Sequence, residues 1–121
     1  MEGPRAWFAA PADGDTVAAG GVRVVVSVDG VKLVPATGVR VDGEGHLHFF
    51  LDRDVTRAGV PIPNDPNIVH VGTGATEHVF SSISPGWHRI ITVFAFGDHA
   101  PDTTVRSDTI RIFVKERPPP Q

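Results

Sequence analysis

Short apolar runs separated by glycine and proline make up the hydrophobic pattern of this chain. Alternation in the last run places Ile110, Ile112 and Val114 on one face and Arg111 and Lys115 on the other. Val, Ile, Thr and Phe dominate every run, and none keeps a helical period over three turns. Strands are predicted at residues 22–28, 31–34, 45–52, 68–71, 76–83, 87–96 and 109–116. The pattern predicts an all-β fold, an antiparallel β-sandwich of about seven strands.

The length of 121 residues fits one domain. We expect a disordered N-terminal segment at residues 1–6, a single domain at residues 7–116 and a proline-rich tail at residues 117–121. Residues 54–67 carry three prolines and are predicted to form a loop or a sheet edge.

Composition narrows the function classes. The chain has no cysteine, which excludes disulfides, thiolate metal sites and a cysteine nucleophile. A net charge of −3 and a pI of 6.0 do not favour nucleic-acid binding. No apolar run reaches the roughly 18 residues needed to span a bilayer, so no membrane insertion is expected. Residues 1–5 lack a signal-peptide pattern, which suits a cytoplasmic protein or a mature exported one.

Six histidines are the most informative residues, and two of them lie at alternate positions of one predicted strand. His46 and His48 share a strand face, about 7 Å apart, with Phe50 and Asp52, while Leu47 faces the core. Two imidazoles so placed can converge on one ion, with each nitrogen about 2.0–2.1 Å from it. The strand therefore predicts a metal site at His46 and His48, with Asp52 as a ligand or as a hydrogen-bond partner of a ligand.

The other histidines differ in what they can contribute. His70 or His99 is the expected third ligand, although a partly buried His70 could instead bond a backbone carbonyl. His88 begins the longest predicted strand and His99 follows its end, over 30 Å away if the strand is straight. These two therefore cannot serve one site. The face of its strand that carries His78 is left undecided by the pattern.

An ordered series of motifs resembles the bacterial domain-of-unknown-function 4399 family. Residues 8–17 read F-x-x-P-x-D-G-x-x-V, and residues 45–52 read G-H-x-H-x-x-x-D. The series continues with Pro61-Ile62-Pro63, His70-x-Gly72, Gly74, Thr76-Glu77, Pro85-Gly86-x-His88 and Asp98-His99. The resemblance implies an immunoglobulin-like sandwich carried on exported proteins, hence a periplasmic or secreted location. It carries over His46, His48, His70, His88 and His99, whereas His78 matches no family position.

Three functions are compatible with these residues. The first is a non-enzymatic binding domain with a copper or zinc ion, the metals that imidazole ligands suit in the absence of thiolate. The second is a structural or adhesive module in which the histidines make local hydrogen bonds. The third is a carbohydrate or small-molecule module that stacks its ligand on Trp7, Trp87 or Phe50, although alternation favours a core position for Trp87. Enzymatic activity is not expected, since no nucleophile elbow surrounds Ser81 or Ser82.

Overall fold

Two β-sheets form the fold in a computed structural model that describes residues 3–117. Nine strands occur among these residues, against about seven expected. They are β1 Arg5–Ala10, β2 Thr16–Val17, β3 Val22–Asp29, β4 Lys32–Leu33, β5 Glu44–Leu51, β6 Ile68–Val71, β7 Glu77–Phe80, β8 Gly86–Ala95 and β9 Asp108–Val114. The predicted all-β class and immunoglobulin-like sandwich are confirmed.

The smaller sheet has three strands in the order β1-β3-β7. The larger sheet has six, in the order β2-β9-β8-β5-β4, with β6 also paired to β5. The long pairings β5–β8, β8–β9 and β5–β6 are antiparallel, whereas the two-residue strands β2 and β4 pair in parallel. Strand β5 therefore lies inside its sheet, with β8 on one side and β6 and β4 on the other.

The main core lies between the two sheets, and alternation along β5 decides which side chains enter it. Leu47 and Phe49 are fully buried there against Val24, Ile90 and Phe94. A fully buried apolar side chain of this size contributes roughly 1.5–3 kcal/mol. This is the face that the sequence pattern assigned to the core.

A second, smaller core covers the outer face of the same sheet. Phe50, Ile91, Val93 and Ala95 are buried beneath Ile62, which comes from the long connection between β5 and β6. Both faces of β5 are therefore buried, which makes the side chains of His46 and His48 interior groups.

The N-terminal boundary differs from the expected one. Strand β1 begins at Arg5, inside the segment expected to be disordered, and Ala6 is buried against the core. The pairing of Arg5 through Phe8 with β3, together with the bond from the Ala6 N–H to the Arg106 carbonyl, holds this segment. Residues 1–2 and residues 118–121 of the expected tail lie outside the described residues.

Candidate metal centre

Four histidines meet at one end of the larger sheet. His46 and His48 project from the outer face of β5, and β6 places His70 directly opposite His48. His99 follows β8 in a tight turn, closed by the bond from its N–H to the Phe96 carbonyl. The sequence predicted His70 or His99 as the third member, and the structure brings both to the pair.

The four imidazoles lie close enough together to bind one metal ion. Each histidine can offer one ring nitrogen, and these four atoms all lie within 4.8 Å of one another. Tetrahedral coordination at the usual zinc–nitrogen length places ligand nitrogens about 3.3 Å apart. His46 Nε2 and His99 Nδ1 already lie 3.3 Å apart. Because no two of the four atoms are more than 4.8 Å apart, the remaining pairs must close by about 1.5 Å at most to reach this spacing.

Burial keeps the inner pair neutral. His46 and His48 are 0% and 2% exposed. Burial, followed by the nearby imidazoles, lowers the pKa of His46 to about 4 and that of His48 to about 3. Burial and the neighbouring His99 also lower the pKa of His70. Their ring nitrogens therefore keep free lone pairs at neutral pH, as metal ligation requires.

One ring nitrogen of each inner histidine has no hydrogen-bond partner among the described residues. Among residues 3–117, the buried Nδ1 atoms of His46 and His48 have no partner. Leaving a buried polar atom unpaired costs about 1–3 kcal/mol. A cation would offset that cost only where it binds Nδ1 itself, and coordination of His46 through Nε2, the atom beside His99, would leave its Nδ1 unpartnered.

Backbone features fix the position of each ring. A Cβ on Gly45 would lie 2.1 Å from the Ala95 carbonyl oxygen, so the residue before His46 has room for glycine alone. A Cβ on Gly72 would lie 3.1 Å from the His70 ring. His99 adopts a positive φ of 69°, and its Nδ1 lies beside Nε2 of His46 on β5. Gly45 thus allows β5 to lie close to the end of β8, and Gly72 allows the His70 ring to lie close to the backbone that follows β6.

A cavity of about 340 Å³ opens onto three of these histidines, His48, His70 and His99. Its other walls come mainly from the loop between β5 and β6, including Pro61, Ile62 and Pro63. The Ile62 N–H donates to the His99 carbonyl, which ties this loop to the turn that carries His99. The cavity gives an ion a path from solvent to His48, His70 and His99.

Asp52 does not join the four histidines, which corrects its prediction as a metal ligand. The residue has a positive φ of 57°, so the strand alternation that placed it beside His48 ends before it. Asp52 Oδ1 accepts the Arg89 N–H at 2.8 Å, and Asp52 Oδ2 bonds His88 Nδ1 at 2.6 Å. It lies four residues beyond His48, about 13 Å along a strand. Its role is to join the end of β5 to β8.

The remaining two histidines lie elsewhere, as expected. His88 Nε2 lies 2.7 Å from the Ser84 carbonyl oxygen, so this ring connects a turn to Asp52. His78 contacts Phe49 and Phe80 on the core face of β7. The structure resolves the orientation that the sequence left open, with Glu77 pointing outward to Arg23.

Two of the aromatic side chains considered as stacking platforms lie differently from the expectation. Trp87 is 63% exposed and Phe50 is fully buried. Both face the outer side of the larger sheet, but the covering loop with Ile62 reaches Phe50 and leaves the start of β8 open. Trp7 lies under the Arg5 guanidinium, whose carbon is 4.2 Å from the ring centroid.

Comparison with known proteins gives the family and the fold. A family described as "Domain of unknown function (DUF4399)" matches residues 24–115, which include all four clustered histidines. The chain belongs to this family. A search of curated proteins by sequence finds no match.

Two solved structures resemble the DUF4399 domain. Fibronectin(III)-like modules of CbhA from Clostridium thermocellum match with a TM-score of 0.58 and 13% identity, over 93% of this chain and 99% of that one. The extracellular domain of the putative one component system BT4673 from B. thetaiotaomicron matches with a TM-score of 0.46 and 13% identity. That match covers 88% of this chain and 12% of the other. The first likeness supports the sandwich fold. No helix among the described residues is long and apolar enough to cross a membrane.

Proposed function

We propose that this DUF4399 domain is a non-enzymatic metal-binding module whose ion is held by His46, His48, His70 and His99. The observation that carries the proposal is the convergence of four ring nitrogens within 4.8 Å, two of the rings being buried. The lowered pKa values of His46 and His48 support it, because neutral imidazoles keep the lone pair that a metal ion needs.

Copper or zinc is the ion that this donor set suits. The group is made of imidazole nitrogens, which bind zinc and copper well, whereas calcium and magnesium prefer oxygen ligands. Because Asp52 bonds His88 and Arg89 instead, the proposed site has neutral ligands throughout. A divalent ion would therefore keep its full charge, which favours an anion or water as a further ligand on the cavity side.

Binding rather than catalysis is proposed because of what surrounds the histidines. Apart from the histidines themselves, the cavity is lined by Pro61, Ile62, Pro63, Asn64 and Ile68, and none of these can act as a general acid or base. We place the domain outside the cytoplasm as part of the same proposal, in keeping with the exported proteins that the family resemblance implies.

Calorimetric titration of the metal-stripped protein with Cu(II) and with Zn(II) tests the proposal. We expect one saturable site of micromolar affinity or tighter for at least one of the two ions. His70→Ala should weaken binding by more than the 10–100-fold that loss of an outer hydrogen-bond partner causes, because it removes a ligand itself. His70 lies at the exposed side of the group, so this variant should fold.

His78→Gln is the matched control, because it changes a histidine outside the group and should leave the affinity unaltered. The proposal fails if neither ion binds more tightly than millimolar, or if the doubly changed His46→Ala/His48→Ala protein binds as the wild type does.

The hydrogen bonds of His88 to Asp52 and to Ser84 favour a structural role for that histidine, and they make a purely structural module the second candidate.

A further inference from the structure

A groove of about 560 Å³ lies at the opposite end of the larger sheet from the four histidines. Its walls include Trp87 and Arg89 from β8 and Arg111 from β9. Six residues of β8 separate Trp87 from Val93, which pairs with His48, and that is about 20 Å along a strand. The groove is therefore a separate surface from the proposed metal centre.

Trp87 provides an open aromatic face in this groove. It is 63% exposed, although it lies within a paired strand. Phe113, its cross-strand partner, holds it through an edge contact with ring centroids 5.4 Å apart. An indole held in this way and still exposed can stack against a flat apolar surface, such as the face of a sugar ring.

Two arginines lie directly opposite each other beside Trp87. The register of β8 and β9 pairs Arg89 with Arg111, and like charges in that position repel. Arg89 has an ion pair with Asp54 at 2.9 Å, but the Asp54 side chain is 91% exposed. Within residues 3–117, no carboxylate forms an ion pair with the Arg111 guanidinium. An anionic group bound between the two guanidiniums would relieve this repulsion.

Each of the two carboxylates in the groove accepts a backbone N–H through one of its oxygens. Asp13 Oδ1 accepts the Arg111 N–H at 2.7 Å, and Asp52 accepts the Arg89 N–H at 2.8 Å. Asp52 uses its second oxygen to bond His88, whereas no donor within residues 3–117 bonds Asp13 Oδ2, which can accept a hydroxyl. The groove thus combines a stacking platform, two donors for a carboxylate and one acceptor for a hydroxyl.

From these features we propose that the groove binds acidic carbohydrate, a glycan that contains uronic acid residues. One pyranose ring stacks on Trp87, and its carboxylate binds between Arg89 and Arg111. Asp13 accepts a ring hydroxyl. Arginine suits the carboxylate because its planar guanidinium can donate two parallel hydrogen bonds to it.

Calorimetric titration of the protein with oligogalacturonate in metal-free buffer tests this site. The wild type should bind saturably, and the affinity should fall as salt is added. Trp87→Ala and, separately, Arg111→Gln should each weaken binding by about tenfold or more. Both residues lie on the surface of the sheet, and a far-UV spectrum like that of the wild type establishes that each variant is folded.

Trp7→Phe is the control, because Trp7 lies on β1 outside the groove, and it should bind oligogalacturonate like the wild type. His70→Ala should also bind it normally, which separates this site from the metal centre. Absence of saturable binding overturns the proposal. Equal affinity for a neutral gluco-oligosaccharide, or unchanged affinity in Trp87→Ala, overturns it as well.

Discussion

At the scale of single residues, burying two imidazoles without a full set of hydrogen-bond partners costs folding free energy. His46 and His48 lose their hydration on folding and gain no partner for Nδ1 among the described residues. An apolar residue of similar size would fill the same space without burying an unpaired polar atom. A bound ion would remove this cost only at a ring that it contacts through Nδ1.

The lowered pKa values predict acid sensitivity of the metal-stripped protein. Both histidines titrate near 6.5 when unfolded, but at about 4 and about 3 when folded. The unfolded chain therefore takes up protons at a higher pH than the folded protein does. The free energy of unfolding is at its full value above pH 6.5 and decreases as the pH falls below it. Urea unfolding should show that the free energy of unfolding decreases by an amount on the order of 2–4 kcal/mol from about pH 7.5 to about pH 5.

The variant His46→Phe/His48→Phe separates this effect from the titration of carboxylates, which both proteins share. Its free energy of unfolding should change much less over the same interval. An equal pH dependence in the two proteins would contradict the explanation. His78→Gln serves as the histidine control, and most of the wild-type dependence should persist in it.

The sequence predicted some of these residues well and one of them badly, for a physical reason. Alternation is reliable within a strand, so the outward placement of His46 and His48 was predictable. It ceases to apply where the backbone leaves the extended region, and Asp52 with φ of 57° lies just past that point. Asp52 therefore shares the motif of the histidines without sharing their position.

At the scale of elements, the pairing of β5 with β6 creates the site. The register that places His70 opposite His48 depends on which strands are neighbours, and local pattern does not specify that. The turn after β8 likewise brings His99 back over β5. The covering loop was equally hard to predict, because Ile62 is an isolated apolar residue between two prolines, Pro61 and Pro63.

Gly72→Ala tests the contribution of β6 and the turn that follows it. The added methyl would lie 3.1 Å from the His70 ring, which must then move by a few tenths of an ångström. We expect metal affinity to fall by about tenfold, similar to the loss of an outer ligand contact. The free energy of unfolding should change little, since His70 is exposed. Calorimetry and urea unfolding measure the two effects.

The matched control is Gly21→Ala, where the added methyl would lie at an ordinary 3.6 Å from Val79, far from the histidines. Its metal affinity should equal that of the wild type. If Gly72→Ala also binds metal normally, close contact with Gly72 does not orient His70.

At the scale of the whole molecule, one sheet carries two chemically different ends. The histidine end is covered by a loop and carries uncharged imidazoles, whereas the Trp87 end is open and carries the facing arginines. Both lie on the outer face of the larger sheet, because its inner face is occupied by the main core. The outer face therefore has room for both proposed sites, since neither uses a side chain of the main core.

Thermal unfolding with and without metal separates a ligand role from a purely structural role of the histidines. An ion that binds the folded state alone adds about 2.7 kcal/mol at a hundredfold excess over Kd, which should raise Tm by roughly 10 °C. His99→Ala should abolish most of this rise. His88→Gln should instead lower Tm equally with and without metal, because it breaks the contact with Asp52 and leaves the ligands intact. A wild-type Tm that neither Cu(II) nor Zn(II) raises would favour the structural module, in which the histidines make local contacts and hold no ion.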